Sequence, residues 1–131
     1  MSASAFTYSF RVRWPEVDAQ GVVFNGHYLS YADHAGTEFY RHLGLLDADL
    51  EDLRQTYVVD AQISFKASAL NDDLLTTTVK VERLGTSSFT LLYEIRRDET
   101  LLTEIRMTYV RALNGQSLPL SNAFRTLLTP T

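Results

Sequence analysis

The stretch His27-Tyr28-Leu29-Ser30-Tyr31-Ala32-Asp33-His34-Ala35-Gly36-Thr37-Glu38-Phe39-Tyr40-Arg41-His42-Leu43-Gly44 decides the fold. Tyr28, Tyr31, Ala32, Ala35, Phe39 and Leu43 follow the i, i+3, i+4, i+7 rule, the stripe of a helix packed on one face. Gly44 stands where a helix ends by turning left-handed. The spacing predicts one long helix of about four turns. Most of the chain around it has period two instead.

Upstream, Phe6, Tyr8, Phe10, Val12 and Trp14 alternate with Thr7, Ser9, Arg11 and Arg13, a half-buried strand ended by Pro15. Downstream, residues 47–55 read as a second short helix with Asp47 as its N-cap and Leu50 and Leu53 facing inward. Four further strands follow: Tyr57, Val59, Ala61, Ile63 and Phe65 alternate in one, Thr77, Val79 and Val81 in the next, then Phe89 to Ile95, then Thr103 to Tyr109. Asn71-Asp72-Asp73, Gly85-Thr86-Ser87 and Arg97-Asp98-Glu99 punctuate them, spacings short enough for antiparallel neighbours. Asn114-Gly115 reads as a turn, and Ser121 as the cap of a last helix through Leu128, stopped by Pro130. One amphipathic helix and one sheet with an apolar face bury each other. The expectation is therefore a single α+β domain over residues 1–131, a five-stranded antiparallel sheet curled around the helix. Apolar alternation reaches into the outer strands, which favours pairing of edges between protomers.

A chain of 131 residues and 14.9 kDa with 45% hydrophobic residues is the size of one ordinary domain. Its net charge of −4 argues against a nucleic-acid partner. The absence of cysteine removes disulfides, thiolate metal sites and a thiol nucleophile. Residues 1–5 lack the pattern of a signal peptide, and no apolar run approaches a membrane span. A soluble, cytoplasmic protein is expected.

No serine elbow, glycine-rich phosphate loop, dinucleotide fingerprint or H-E-x-x-H motif occurs. His34, Glu38 and His42 share one helix face, but without a fourth ligand they read as a solvated stripe, and no metal is expected. The informative segment is Glu16-Val17-Asp18-Ala19-Gln20-Gly21-Val22-Val23-Phe24-Asn25-Gly26-His27-Tyr28. Asp18 with Gly21 reads as a type I turn, and Asn25 as the N-cap of the long helix. The trio Val22, Val23 and Phe24 must lie near the core, which would hold a carboxylate beside it partly away from water. There it can act as base or nucleophile, facing the positive end of a helix.

Residues 11–43, and Asp18-Ala19-Gln20-Gly21-Val22-Val23 above all, resemble the signature of the 4-hydroxybenzoyl-CoA thioesterase-like family of hotdog-fold acyl-CoA thioesterases. Tyr57-Val58-Val59, Asn71-Asp72-Asp73-Leu74 and Gly85-Thr86-Ser87-Ser88-Phe89 are similar to the family's pattern as well. The resemblance implies a hotdog fold, dimers or tetramers joined sheet edge to sheet edge, and an active site at the dimer interface. It implies Asp18 as the catalytic aspartate, attacking the thioester carbonyl or activating water, and Asn25 as the residue whose backbone N–H polarises that carbonyl. Coenzyme A is then part of the substrate and no separate cofactor is expected. Gly21, Val23 and Tyr28 belong to the same motif and are expected to shape the substrate site.

The chain departs from the family's pattern at Trp14, where relatives have Tyr, and at Asn25, where they have His. Relatives also read His-x-Asn-Tyr where this chain has Asn25-Gly26-His27-Tyr28, so His27 stands either as a replacement acid/base or as a helix-start residue touching the loop or solvent. For the phosphates of coenzyme A, Lys66, Arg83, Ser87 and Ser88 are candidates beside ordinary turn and rim chemistry. Two other classes stay open: an enoyl-thioester hydratase of the same fold, and a non-catalytic acyl-thioester binding or regulatory protein.

Overall fold

A computed structural model of the chain describes residues 6–129. Residues 1–5, read above for a signal peptide, and Pro130, read as a helix stop, lie outside the described residues. The elements run β1 (Phe6–Arg11), a 3-10 turn (Trp14–Glu16), α1 (His27–His42), α2 (Glu51–Arg54), β2 (Thr56–Phe65), β3 (Leu74–Leu84), β4 (Ser88–Arg97), β5 (Thr100–Leu113), β6 (Gln116–Ser117) and α3 (Asn122–Leu128).

The main sheet has the order β1-β3-β4-β5-β2, every pair antiparallel. It curls around α1, whose buried face is Tyr28, Tyr31, Ala32, Ala35, Gly36 and Phe39, as the stripe predicts. These side chains meet Leu75 and Val79 of β3, Leu91, Tyr93 and Ile95 of β4 and Ile105 of β5 in one core. This is the α+β hotdog arrangement that the resemblance implies. Small residues bring the helix close to the sheet: a Cβ at Gly36 would lie 2.7 Å from the Tyr93 hydroxyl oxygen. That hydroxyl shares a 2.7 Å hydrogen bond with Tyr109. The helix ends as Gly44 predicts, with φ +81° there. The N–H of Leu45 donates to Tyr40 O at 2.9 Å and that of Gly44 to Arg41 O at 3.1 Å, which closes the last turn.

The structure corrects several expectations. β1 stops at Arg11, because its partner Leu74 is the first residue of β3; beyond it Val12 bonds only to the turn residues Asp72 and Asp73. Trp14 is therefore not an inward strand residue; it lies on the 3-10 turn, 74% exposed. The second helix is only Glu51–Arg54, led by Leu50 without a side-chain cap, so Asp47 caps nothing. A sixth strand, β6, pairs with β5 across Asn114-Gly115, both at positive φ as a tight hairpin requires. Ser121 does cap α3, accepting from Phe124 N–H at 3.1 Å, and its own hydroxyl donates to the buried Asp52 at 2.8 Å. β2 occupies one edge of the sheet, with Tyr57, Val58, Val59 and Phe65 all exposed.

Candidate active site

Between β1 and α1 the chain forms a small hairpin. Val17 bridges Val23, and Val22 bridges Leu70 on the far side. Asp18 sits at its tip. Its N–H donates to Val22 O at 2.9 Å, its carbonyl accepts from Gly21 N–H at 3.0 Å, and its Oδ1 accepts from Gln20 N–H at 2.8 Å. Gly21, at φ +81°, makes the reversal that a residue with a Cβ adopts only with strain. The turn is thus as the sequence predicts, but the burial is not. Of the apolar trio only Val23 is buried; Val22 is half-buried and Phe24 is 56% exposed. Asp18 itself is exposed in the single chain, because the stem of the hairpin points inward and its tip points out.

The start of α1 departs from expectation as well. Gly26, not Asn25, precedes the first helical residue, and no side chain caps the helix. Asn25 instead offers its carbonyl to Tyr28 N–H at 3.3 Å, and among the described residues the N–H groups of Asn25 and Gly26 find no acceptor. His27 packs edge-on against the Phe24 ring, centroids 5.9 Å apart, which is the loop contact left open above. Below this helix end is a cavity of about 240 Å³ lined by Asn25, Tyr28, Phe65, Lys66, Ala67 and Ser68. The structure therefore brings Asn25, Tyr28 and Lys66 together, with Asp18 on the adjoining hairpin.

Sequence reasoning missed Glu16. It accepts from Arg13 N–H at 2.8 Å, from the Arg13 guanidinium at 3.2 Å and from the Tyr31 hydroxyl at 2.9 Å. Partial burial works against its charge, yet these donors outweigh burial and hold the carboxyl below its ordinary value. Burial first, and then the Glu16 charge, push the Tyr31 hydroxyl upward. The three-residue spacing of Arg13 and Glu16 was the available signal. A larger cavity, about 320 Å³, borders this pair and is lined by Tyr8, Phe10, Arg11, Arg13, Glu16, Tyr31 and His34. The smaller one is the better candidate, since Asn25, with its free N–H, lines it.

Arg83, Ser87 and Ser88 do not join this site within one protomer. Ser88 pairs with Val110, level with the Thr56 end of β2, whereas Lys66 follows the opposite end, where Phe65 pairs with Thr103. Glu38 accepts from Arg41 and the His42 ring leans on Phe6, so the helix stripe has other partners; among the described residues no three His, Cys, Asp or Glu side chains are grouped to hold a metal ion.

Residues 20–104 match the model of the thioesterase superfamily. The chain belongs to the thioesterase superfamily. An acyl-CoA thioesterase, YbgC, of Haemophilus influenzae is 32% identical over 98 residues, 73% of this chain and 71% of that one. Among solved structures, a gentisyl-coenzyme A thioesterase is 26% identical with a TM-score of 0.82, covering 94% of this chain and 98% of that one. A 4-hydroxybenzoyl CoA thioesterase, 18% identical, has a TM-score of 0.85 over 97% of this chain and 100% of that one, a likeness of fold. As a member of this superfamily the protein is a thioester hydrolase. The family match begins after Asp18, so the role of that residue rests on its chemistry and position.

Proposed function

We propose that this thioesterase hydrolyses an acyl-CoA thioester, using Asp18 as base or nucleophile. The carrying observation is the α1 start, where Asn25, whose N–H is free among the described residues, lines a cavity, next in the chain to the hairpin that presents a carboxylate. A thioester carbonyl seated there would have its oxygen at the positive end of the helix, where charge developing in the transition state is stabilised. Asp18 then either attacks the carbonyl carbon, expelling the thiolate and leaving a mixed anhydride that water hydrolyses, or takes a proton from a water that attacks the carbonyl directly. In both cases the C–S bond breaks, the thiolate takes up a proton, and free acid and thiol leave. The acyl-CoA activity named for the relatives supports this substrate class.

The proposal includes a homodimer in the cytoplasm. β2 offers an unpaired backbone edge together with exposed Tyr57, Val58 and Val59, and a second copy is the simplest cover for both. Antiparallel pairing of two β2 edges would set the Thr56 end of one copy beside the Phe65 end of the other. The turn bearing Arg83, Ser87 and Ser88 would then share an end of the assembly with the other copy's cavity, within reach of the phosphates of coenzyme A. It would also cover the exposed hairpin that holds Asp18.

Thiol release measured across aryl, short-chain and long-chain acyl-CoA substrates tests the function, with light scattering on the same sample. Cleavage of at least one class by a particle of at least twice the 14.9 kDa chain mass is expected. Prolonged chelation should leave that rate unchanged, since carboxylate chemistry needs no metal. A folded chain that cleaves none of them would overturn the reading.

A further inference from the structure

The Tyr28 side chain is 2% exposed, and its ring is wedged between Phe65 and Tyr31 at centroid distances of 5.4 and 5.8 Å, both edge-on. Its hydroxyl oxygen accepts from the buried Ala69 N–H at 3.0 Å. That bond occupies a lone pair and leaves the hydroxyl proton, which has no acceptor among the described residues. A buried donor left without an acceptor is unfavourable. Such a group is expected where something outside the chain completes it, and Tyr28 lines the cavity that also holds Asn25 and Lys66.

We infer that the Tyr28 hydroxyl is a second hydrogen-bond donor to the thioester carbonyl oxygen, acting beside the Asn25 N–H, and so a catalytic residue. The inference rests on the acyl-CoA hydrolysis proposed above. The bond received from Ala69 polarises the O–H and fixes its direction, so the donor is oriented before substrate arrives. The same residue ties the site together: Ala69 O accepts from Val23 N–H at 2.9 Å, on the hairpin that ends in Asp18. One residue of the 66–70 segment thereby sets the Tyr28 donor and the Asp18 turn relative to each other.

The test compares the full-length chain with Tyr28→Phe, which keeps the ring and removes the donor. Expected is a fall in kcat of about a hundredfold, the scale for losing one oxyanion donor, with KM within about threefold. The second readout is the infrared stretch of the carbonyl of the best panel substrate, labelled with carbon-13 and bound in the Asp18→Asn background, or caught by rapid mixing should that variant still turn over. In Tyr28→Phe the band should move back toward its frequency in water. An unchanged kcat overturns the inference, and so does a rate loss with an unmoved band, because Tyr28 would then only support Ala69. If Tyr28→Phe does not fold, 3-fluorotyrosine at position 28, a stronger donor, decides: a lowered band supports the inference and an unmoved one overturns it. A wild-type chain that neither binds nor cleaves any acyl-CoA overturns the proposed function and this inference together, whereas normal cleavage by Tyr28→Phe overturns only the latter.

Discussion

Tyr31, one turn into α1, donates its hydroxyl proton to Glu16 at 2.9 Å, and this bond fastens the Asp18 loop to the helix. Glu16 is held below its ordinary value of 4.5, so the folded state favours its charged form. The stability this contributes is present above about pH 4.5 and is lost as the pH falls through the lower folded value. Glu16→Gln should cost about 1–2 kcal/mol at pH 7, and the gap to wild type should close in acid. Melting curves of both proteins from pH 7 to pH 3 measure it; a gap that persists at the acid end would mean that shape, not charge, holds the loop.

Gly36 leaves room for the Tyr93 hydroxyl, and Gly36→Ala removes it. A Cβ 2.7 Å from that oxygen forces the helix or the ring to shift. The expected net loss is about 1–3 kcal/mol, although alanine favours a helix by about 1 kcal/mol. Tyr93→Phe takes away the obstructing atom, so Gly36→Ala added to it should cost much less. Equal losses in both backgrounds, read by denaturant titration, would refute this packing account.

Asp18→Asn keeps an oxygen for the Gln20 N–H and removes the charge. Turnover should fall by at least about a hundredfold with the melting temperature nearly unchanged. Full activity would return Asp18 to the status of a turn residue.

Asn25→Ala separates side chain from backbone. The side chain caps no helix, so thermal stability should not move, and with the N–H retained the rate should fall only a few-fold. A rate loss of about a hundredfold would make the amide side chain the group that holds the carbonyl or the water.

Much of this was legible in the chain itself. The α1 stripe, its Gly44 end, the Ser121 cap and the five long strands follow from periods and cap residues, which are local properties. Trp14 was misplaced because alternation says which residues share a face but not where the partner strand ends; the ladder partner of Arg11 is Leu74, far along the sequence. Asn25 was misread for a related reason: a residue suited to capping does not cap when the chain supplies a backbone turn from Phe24 to His27 instead. The turn at Asp18 is legible in the sequence, but the exposure of its carboxylate is not, since whether a hairpin tip faces inward depends on packing that no spacing records. Glu16 escaped attention because its partner Tyr31 was already assigned to the apolar stripe.

The 3-10 turn carries the chain's single tryptophan, 74% exposed, at the entrance to the hairpin that bears Asp18. Indole emission moves to shorter wavelength when water is excluded, and no other tryptophan contributes to the signal. Trp14 is thus a built-in fluorophore: burial of the turn, by an acyl-CoA or by another copy of the chain, becomes readable as a spectral shift and as protection from a dissolved quencher, without attaching any dye.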